Sequence, residues 1–441
     1  MARFSPFKDS LWYANAIDPP RANPLENDID VDVCVVGAGY TGLTTALELR
    51  QAGVDVALLE AQEAGFGGSG RNAGHCTPTF THYELADIRK MLGEPYAERL
   101  IERQTRANDV VEQRIRAYQI QCDWVRNGYV MGALNPRALS RVKDKAVTYN
   151  AVGAKTRFLD RGEVESLTGS PRFLGGWFHQ EAGHLQPLSY ARGLARAAVA
   201  EGIHFHPNSA VKAVERVAGG RWRVGTPRGN VVAEKVVFCS GAYTVGGWPK
   251  LDKTFSIMRV FVAATEPLPA ELRQSVLPAN TTMHDGRGDI FVYKYDRDGR
   301  IVASMFPMGR RGGDVAYTER VLNDRLRWLH PAIKQDLRFD YMWFGELDMQ
   351  RKTIPRLYDL APGIVALTGL SGRGVPTGSM LGGIVAEWAL GKPVKELALP
   401  LEPMRSAPIY MRFAPQMSLR YHRTLDNLQT RLSGHALPPR P

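Results

Sequence analysis

Residues 31–60 read VDVCVVGAGYTGLTTALELRQAGVDVALLE. They open with an apolar run, Val31 to Val36, bounded by polar residues, which is the pattern of a buried parallel strand. Gly37-Ala38-Gly39-Tyr40-Thr41-Gly42 follows as a G-x-G-x-x-G turn. Leu43, Ala46, Leu47 and Leu49 then recur near one face of a helix that Gly53 ends, and Val54 to Leu59 reads as a second strand carrying Glu60 at its C-terminal end. Gly37 permits the tight turn, Gly39 lets a pyrophosphate approach the backbone, and Gly42 allows the helix to pack closely on the strand. The helix N-terminus offers the phosphates unpaired N–H groups and a positive dipole. Glu60, 18 residues after Gly42, stands where a carboxylate accepts hydrogen bonds from ribose hydroxyls. With strand, turn, helix, strand and acid in register, the stretch predicts a dinucleotide site.

The 441 residues are too many for one core and enough for two domains. Hydrophobic residues make up 44% and charged residues 23%, an ordinary globular balance. The N-terminal stretch lacks the apolar core of a signal peptide. No run approaches the length of a membrane span. Cys34, Cys76, Cys122 and Cys239 have no C-x-x-C spacing, so they read as reduced thiols of a cytoplasmic protein, with no metal site. A net charge of +11 and a pI near 9.5 raise a nucleic acid or an acidic membrane surface as a partner. The arginines are scattered, apart from short clusters such as Gly309-Arg310-Arg311, and no recognition module accompanies them. The reading is therefore a solvated basic exterior and no nucleic acid.

The rest of the chain divides as follows. Residues 1–28 form an extended arm with Trp12 and Tyr13 as anchors. Residues 29–82, 157–250 and 357–395 build a discontinuous cofactor domain. Residues 83–156 and 251–356 build a substrate domain with a helical segment, and 396–441 form a tail that docks on the body or touches a partner. The glycine-rich stretch 64–76 implies unusual backbone or close ligand contact. Helical spacing runs from Tyr83 to Arg126, from Leu159 to Leu167, from Pro187 to Gly202 and over 318–337. Alternation at 210–217, 221–226 and 230–238 predicts a β-meander. Strands are expected at 203–206, 255–265, 289–305, 341–347 and 363–368. A second glycine turn and a helix from about Thr377 to Leu390 follow the last of them.

Four motifs resemble the glycine oxidase/D-amino acid oxidase superfamily of FAD enzymes, closest to its γ-glutamylputrescine oxidoreductase-like branch. They are VDVCVVGAGYTGLTTALEL with LLEA after it; GFGGSGRNAGH, similar to the family's G-[FA]-G-A-S-G-R-N-[GA]-G loop; VVFCSGAY; and TGLSGRGVPTGSMLGG, similar to its C-terminal G-x-x-G-H-G-[VM] loop. They span 29–392 in the family's order. The resemblance implies an α/β fold, α+β overall. A Rossmann-like FAD-binding domain with a β-meander would join an antiparallel-sheet substrate domain.

It also implies non-covalent FAD. Gly37, Gly39, Tyr40, Thr41, Gly42, Glu60 and Ala61 would take the ADP half. Gly68, Ser69, Arg71, Asn72, Ala73 and Gly74 would run along the pyrophosphate, ribityl chain and flavin ring. Val211 would pack by the adenine, and Ser240 and Gly241 would close over the ADP side. Gly369, Gly372, Arg373, Gly374 and Val375 would meet the ribityl and pyrimidine end. Arg373 replaces the family's usual His, and a cation there could stabilise the reduced flavin near its N1–C2=O edge. Residues 300–313 contain neither the Cys that binds flavin covalently in sarcosine oxidase relatives nor a Lys above the flavin.

The family reaction takes hydride from the carbon bearing an amine to flavin N5, and the imine then hydrolyses. It needs a neutral amine, orientation and exclusion of water, so no catalytic triad is expected. O2 or another acceptor would reoxidise the flavin. His75 could deprotonate the amine or be a histidine bonded to backbone. Cys76 reads as cavity lining. His284, Tyr293, Tyr295, Met305, Trp343 and Glu346 could face the flavin or fill the sheet core. Trp343 joins His75 and Arg373 as a candidate for the chemistry. Arg259 could meet a substrate carboxylate or form a surface ion pair. Two alternatives stay open: a flavin-dependent tRNA-modifying enzyme of the same fold, and a non-catalytic FAD subunit of a dehydrogenase complex.

Overall fold

The computed structural model describes residues 7–80, 83–306 and 313–439. The cluster Gly309-Arg310-Arg311, with the rest of 307–312, lies outside them. Ile29–Val36 is buried from Val33 onward, as a strand covered on both faces must be. It lies between Asn230–Phe238 and Val56–Leu59, parallel to both. The sheet continues beyond Val56–Leu59 to His204–His206 and, on the other side, to Ile364–Thr368, Arg356–Ala361 and Leu401–Pro403. Ala213–Arg216 and Trp222–Gly225 extend Asn230–Phe238 as the antiparallel meander. Helices Tyr40–Gln51 and Val375–Ala389 pack on one another. A Cβ at Gly382 would stand 2.5 Å from that of Thr44, so only a glycine permits this approach.

The second sheet has eight strands in the order Phe339–Met349, Ser256–Pro267, Arg300–Met305, Phe291–Tyr295, Thr282–His284, Tyr129–Ala133, Gly175–His179 and Thr156–Leu159. Its last two strands correct the expected boundary. The sequence places 157–250 whole in the cofactor domain, yet Gly175–His179 pairs with both Tyr129–Ala133 and Thr156–Leu159. Gly175 and Gly176 weaken the strand signal there. The helical run expected from Tyr83 to Arg126 is three helices, Leu85–Leu92, Tyr96–Thr105 and Ala107–Ala117. It stops short of Arg126 because Gln119 and Asp123 take left-handed φ of 51°. Sequence reading passed over Pro136–Asn150, a helix capped by Asn135, whose side chain accepts from the Ala138 N–H. Val142, Ala146 and Tyr149 form its buried stripe.

The N-terminal arm is anchored by Trp12, whose indole N–H donates to the Asn72 carbonyl at 2.7 Å. The C-terminal helix Ala414–Leu432 docks through polar groups. Arg423 donates to Asp289 at 2.9 Å, and Asp426 accepts from the Gly288 N–H at 2.8 Å. No helix of the described residues is long and apolar enough to cross a membrane.

Candidate active site

Three chain segments, with residues 209–247 as a fourth wall, meet at one end of the parallel sheet and enclose a cleft of about 520 Å³. The first is the glycine turn. Gly37 sits at φ +106°, and a Cβ at Gly42 would lie 1.9 Å from the Gly37 carbonyl oxygen, so helix and strand touch through this pair. Glu60 accepts from the Ala38 N–H at 2.8 Å and the Gln62 N–H at 2.9 Å. Burial raises its carboxyl against the opposing pull of these N–H groups. Each carboxylate oxygen keeps a lone pair for a ribose hydroxyl.

The second segment is the loop 66–74, and its conformation is fixed by its own side chains. The Asn72 amide donates to the Ser69 carbonyl at 2.9 Å and accepts from the Gly74 N–H at 2.8 Å. The Tyr40 N–H donates to Ser69 Oγ at 3.1 Å, and its phenol to the Ser69 carbonyl at 2.5 Å. The Arg71 side chain points elsewhere. Its Nε donates to the Phe66 carbonyl, and the guanidinium lies 4.5 Å from the ring centre of Phe7 and 4.7 Å from that of Phe66.

The third segment is 346–374. Buried Asp348 accepts from the Gly369 N–H at 2.6 Å and the Ser371 N–H at 3.2 Å. It thereby holds a turn in which Gly369, Ser371 and Gly372 all have positive φ. Burial raises the Asp348 carboxyl, against these same N–H groups. Sequence reading missed it; the signal was an acid at the end of a strand facing a glycine-rich turn. Arg373 donates through Nη2 to the Thr353 carbonyl, while its buried Nε and Nη1 have no partner. Burial lowers this guanidinium to about 10, although Tyr149, Tyr83 and Asp348 act in the opposite direction.

Of the expected cofactor residues, Gly37, Gly39, Tyr40, Thr41, Glu60, Ala61, Gly68, Ser69, Asn72, Val211, Ser240, Gly241, Gly372, Arg373 and Gly374 line the cleft. Gly42, Arg71, Ala73, Gly74, Gly369 and Val375 do not line it. Tyr243, absent from the expected set, lines it as well. Its hydroxyl accepts from the Glu346 N–H at 3.1 Å.

A second cavity, about 430 Å³, includes Trp12, Trp124, His184, Lys294 and Asp296 in its wall. The stretch Asn72–His75 connects the two: Asn72 lines the first cavity, a Cβ at Gly74 would stand 3.1 Å from Lys294 Cε, and His75 pairs with His184 in a two-residue ladder. His75 therefore lies between them, with neither ring nitrogen hydrogen-bonded. Burial, then the charges of Lys294 and His284, lower its imidazole to about 3. His184 is held well below its ordinary value by burial and by Lys294, and burial takes His284 to about 4. Lys294 is lowered by burial to about 8. Its Nζ donates to the Tyr295 carbonyl at 3.2 Å and lies 5.0 Å from the centre of the Trp12 ring. It lies on the strand Phe291–Tyr295, ahead of the lysine-free stretch 300–313.

The other candidates fall elsewhere. Trp343 is fully buried against Trp12 and donates from its indole to the Arg71 carbonyl at 2.9 Å. It braces the glycine-rich loop and does not line the cleft. Tyr293 pairs with His330 at 2.7 Å, Tyr295 donates to the Val276 carbonyl, and Met305 lies in the same core. Arg259 and Glu346 pair with each other at 3.1 Å, and of the two Glu346 lines the cleft. Burial raises the Cys76 thiol well above its ordinary value, so it is no nucleophile at neutral pH.

The cleft fits FAD. A Cβ at Gly68, Gly241 or Gly374 would find no protein atom nearer than 3.6 Å, so these glycines leave their space to a ligand. The sequence profile of the DAO family, described as FAD dependent oxidoreductase, matches residues 32–388. The chain is 31% identical to γ-glutamylputrescine oxidoreductase of Escherichia coli over 87% of its own length and 89% of that protein. It is also 31% identical to the probable oxidoreductase OrdL of Haemophilus influenzae, over 83% and 85%. A crystal structure of glycine oxidase from Geobacillus kaustophilus superposes with a TM-score of 0.66 at 19% identity, covering 82% of this chain and 95% of that one.

Proposed function

Because this chain belongs to the DAO family of FAD-dependent oxidoreductases, we propose that it oxidises the carbon–nitrogen bond of an amine that also carries a carboxylate, a γ-glutamyl amine or an amino acid. The observation that carries this reading is the buried basic pocket at Gly74, where Lys294 and three neutral histidines adjoin the cofactor cleft. When bound, FAD supplies the acceptor for the hydride that leaves the carbon bearing nitrogen.

The side chains prepare the substrate. An amine releases hydride only when its nitrogen lone pair is free, so an incoming ammonium must first lose a proton. Lys294, at about 8, is neutral above about pH 8 and can take that proton there. His75, at about 3, is too weak a base and serves as a neutral hydrogen-bonding wall. The free Nε and Nη1 of Arg373 suit a carboxylate, which would fix the end of the substrate remote from the reacting carbon. Trp12, in the wall of the second cavity, closes the pocket against water, and Trp343 braces it from behind. The imine product hydrolyses in bulk solvent.

Anaerobic mixing of the holoenzyme with γ-glutamylputrescine, N-methylated amino acids, D- and L-amino acids and simple alkylamines tests this. Bleaching of the yellow flavin band by the carboxylate-bearing members is expected. A flavin that none of them reduces, or that simple alkylamines reduce equally well, refutes it.

A further inference from the structure

Seven of the thirteen large hydrophobic side chains exposed among the described residues fall between Ile409 and Leu432. Five of them lie on the helix Ala414–Leu432 or at its cap: Phe413, Met417, Tyr421, Leu428 and Leu432. At about 100° per residue they occupy an arc of roughly 100°. Leu419, Arg423, Asp426 and Thr430, which face the protein, lie on the opposite side. The helix is thus docked by its polar face and turns its apolar face to solvent, the reverse of an ordinary surface helix. Ile409 and Tyr410, 76% and 49% exposed, prolong the stripe past its N-terminal end.

The charge around the stripe selects its occupant. Arg420 and Arg431 run along one edge, and exposed Arg405 and Arg412 precede the helix. The only acidic residue between 404 and 439 is Asp426, turned inward onto the Gly288 N–H. A second copy laid on this face would bring arginine edges together with no carboxylate to meet them. An anionic lipid surface would satisfy both features, taking the apolar side chains below its headgroups and the guanidiniums among its phosphates. The chain as a whole carries +11.

We propose that the 409–432 segment binds the protein peripherally to anionic phospholipid bilayers, the helix lying flat on the surface over its length of roughly 28 Å. The docking polar network keeps it attached to the substrate domain meanwhile. The interaction is independent of which amine is oxidised.

Vesicle co-sedimentation of the full-length holoenzyme tests the proposal, with phosphatidylcholine alone and with phosphatidylcholine containing phosphatidylglycerol. Binding to the mixed vesicles is expected, weakening as salt is raised. The pair Met417→Glu and Leu428→Glu should reduce partitioning at least about tenfold, with bound flavin and amine turnover unchanged. The pair Arg420→Glu and Arg431→Glu should abolish the preference for anionic lipid and provides an independent variant if the first pair folds poorly. Failure of the wild-type holoenzyme to bind the mixed vesicles overturns the proposal. So does a concentration-dependent dimer in sedimentation velocity that the first pair of substitutions dissociates, which would assign the face to a second copy.

Discussion

Replacing Lys294 with methionine separates its electrostatic cost from its chemical use. The side chain is fully buried, and its ammonium is lowered from the ordinary 10.5 to about 8. Below about 8 both folded and unfolded chains carry the charge, and the folded state bears the burial penalty. Between about 8 and 10.5 the unfolded chain holds more protons, so stability rises with pH across that window. The full difference is about 3 kcal/mol. The bond to the Tyr295 carbonyl and the face of Trp12 are lost in the variant, which returns about 1 kcal/mol. Lys294→Met is close in volume, so it should be more stable than wild type at pH 7 by about 2 kcal/mol, and this advantage should vanish near pH 10. Urea unfolding at the two pH values measures it. In stopped-flow flavin reduction, the same variant should slow the reductive half-reaction about 100-fold and lose the rise through about pH 8. A variant that is less stable at pH 7, or that keeps the wild-type pH limb, refutes the reasoning.

Three further outcomes follow from the geometry. Gly42→Ala places a Cβ 1.9 Å from the Gly37 carbonyl; parting helix from strand should cost about 3 kcal/mol or more, and the purified protein should lose its yellow colour, as absorbance will tell. Arg373→Met removes a buried guanidinium with two unpaired nitrogens; the fold should hold in thermal unfolding, while KM for carboxylate-bearing amines rises at least about tenfold. Burial alone would raise the Asp289 carboxyl, but Arg325, Arg287 and Arg423 outweigh it and hold it well below its ordinary value. Asp289→Ala therefore leaves three cations facing one another and should destabilise the protein by about 3–5 kcal/mol in urea unfolding, loosening the C-terminal helix to proteolysis first.

The cofactor cradle was legible because its determinants are local. A strand, three glycines and an acid lie within residues 31–60, and the loop 66–74 is held by its own Asn72 and Ser69. The meander announced itself through alternation. The pocket beyond Gly74 was illegible for the opposite reason. Lys294 and His184 come to the loop from strands far apart in sequence, and which face of a strand points inward depends on a register that pattern alone leaves open. Tyr293 and Tyr295 illustrate this, since they flank Lys294, face the other side and end in the core. Trp343 was singled out for its size, but its role depends on a single indole bond to Arg71. Asp348 looked like one more acid until the turn it holds was in view.

The cleft has a consequence for biosynthesis. Its walls come from residues 36–72, 209–247 and 346–374, so the ribosome delivers them far apart in time. A nascent chain that has passed the glycine turn has the first wall only, and Asp348 with the turn it holds arrives last. Yellow colour should therefore appear only once translation has cleared Arg373, and fragments ending before Leu347 should stay colourless however well their opening helix forms.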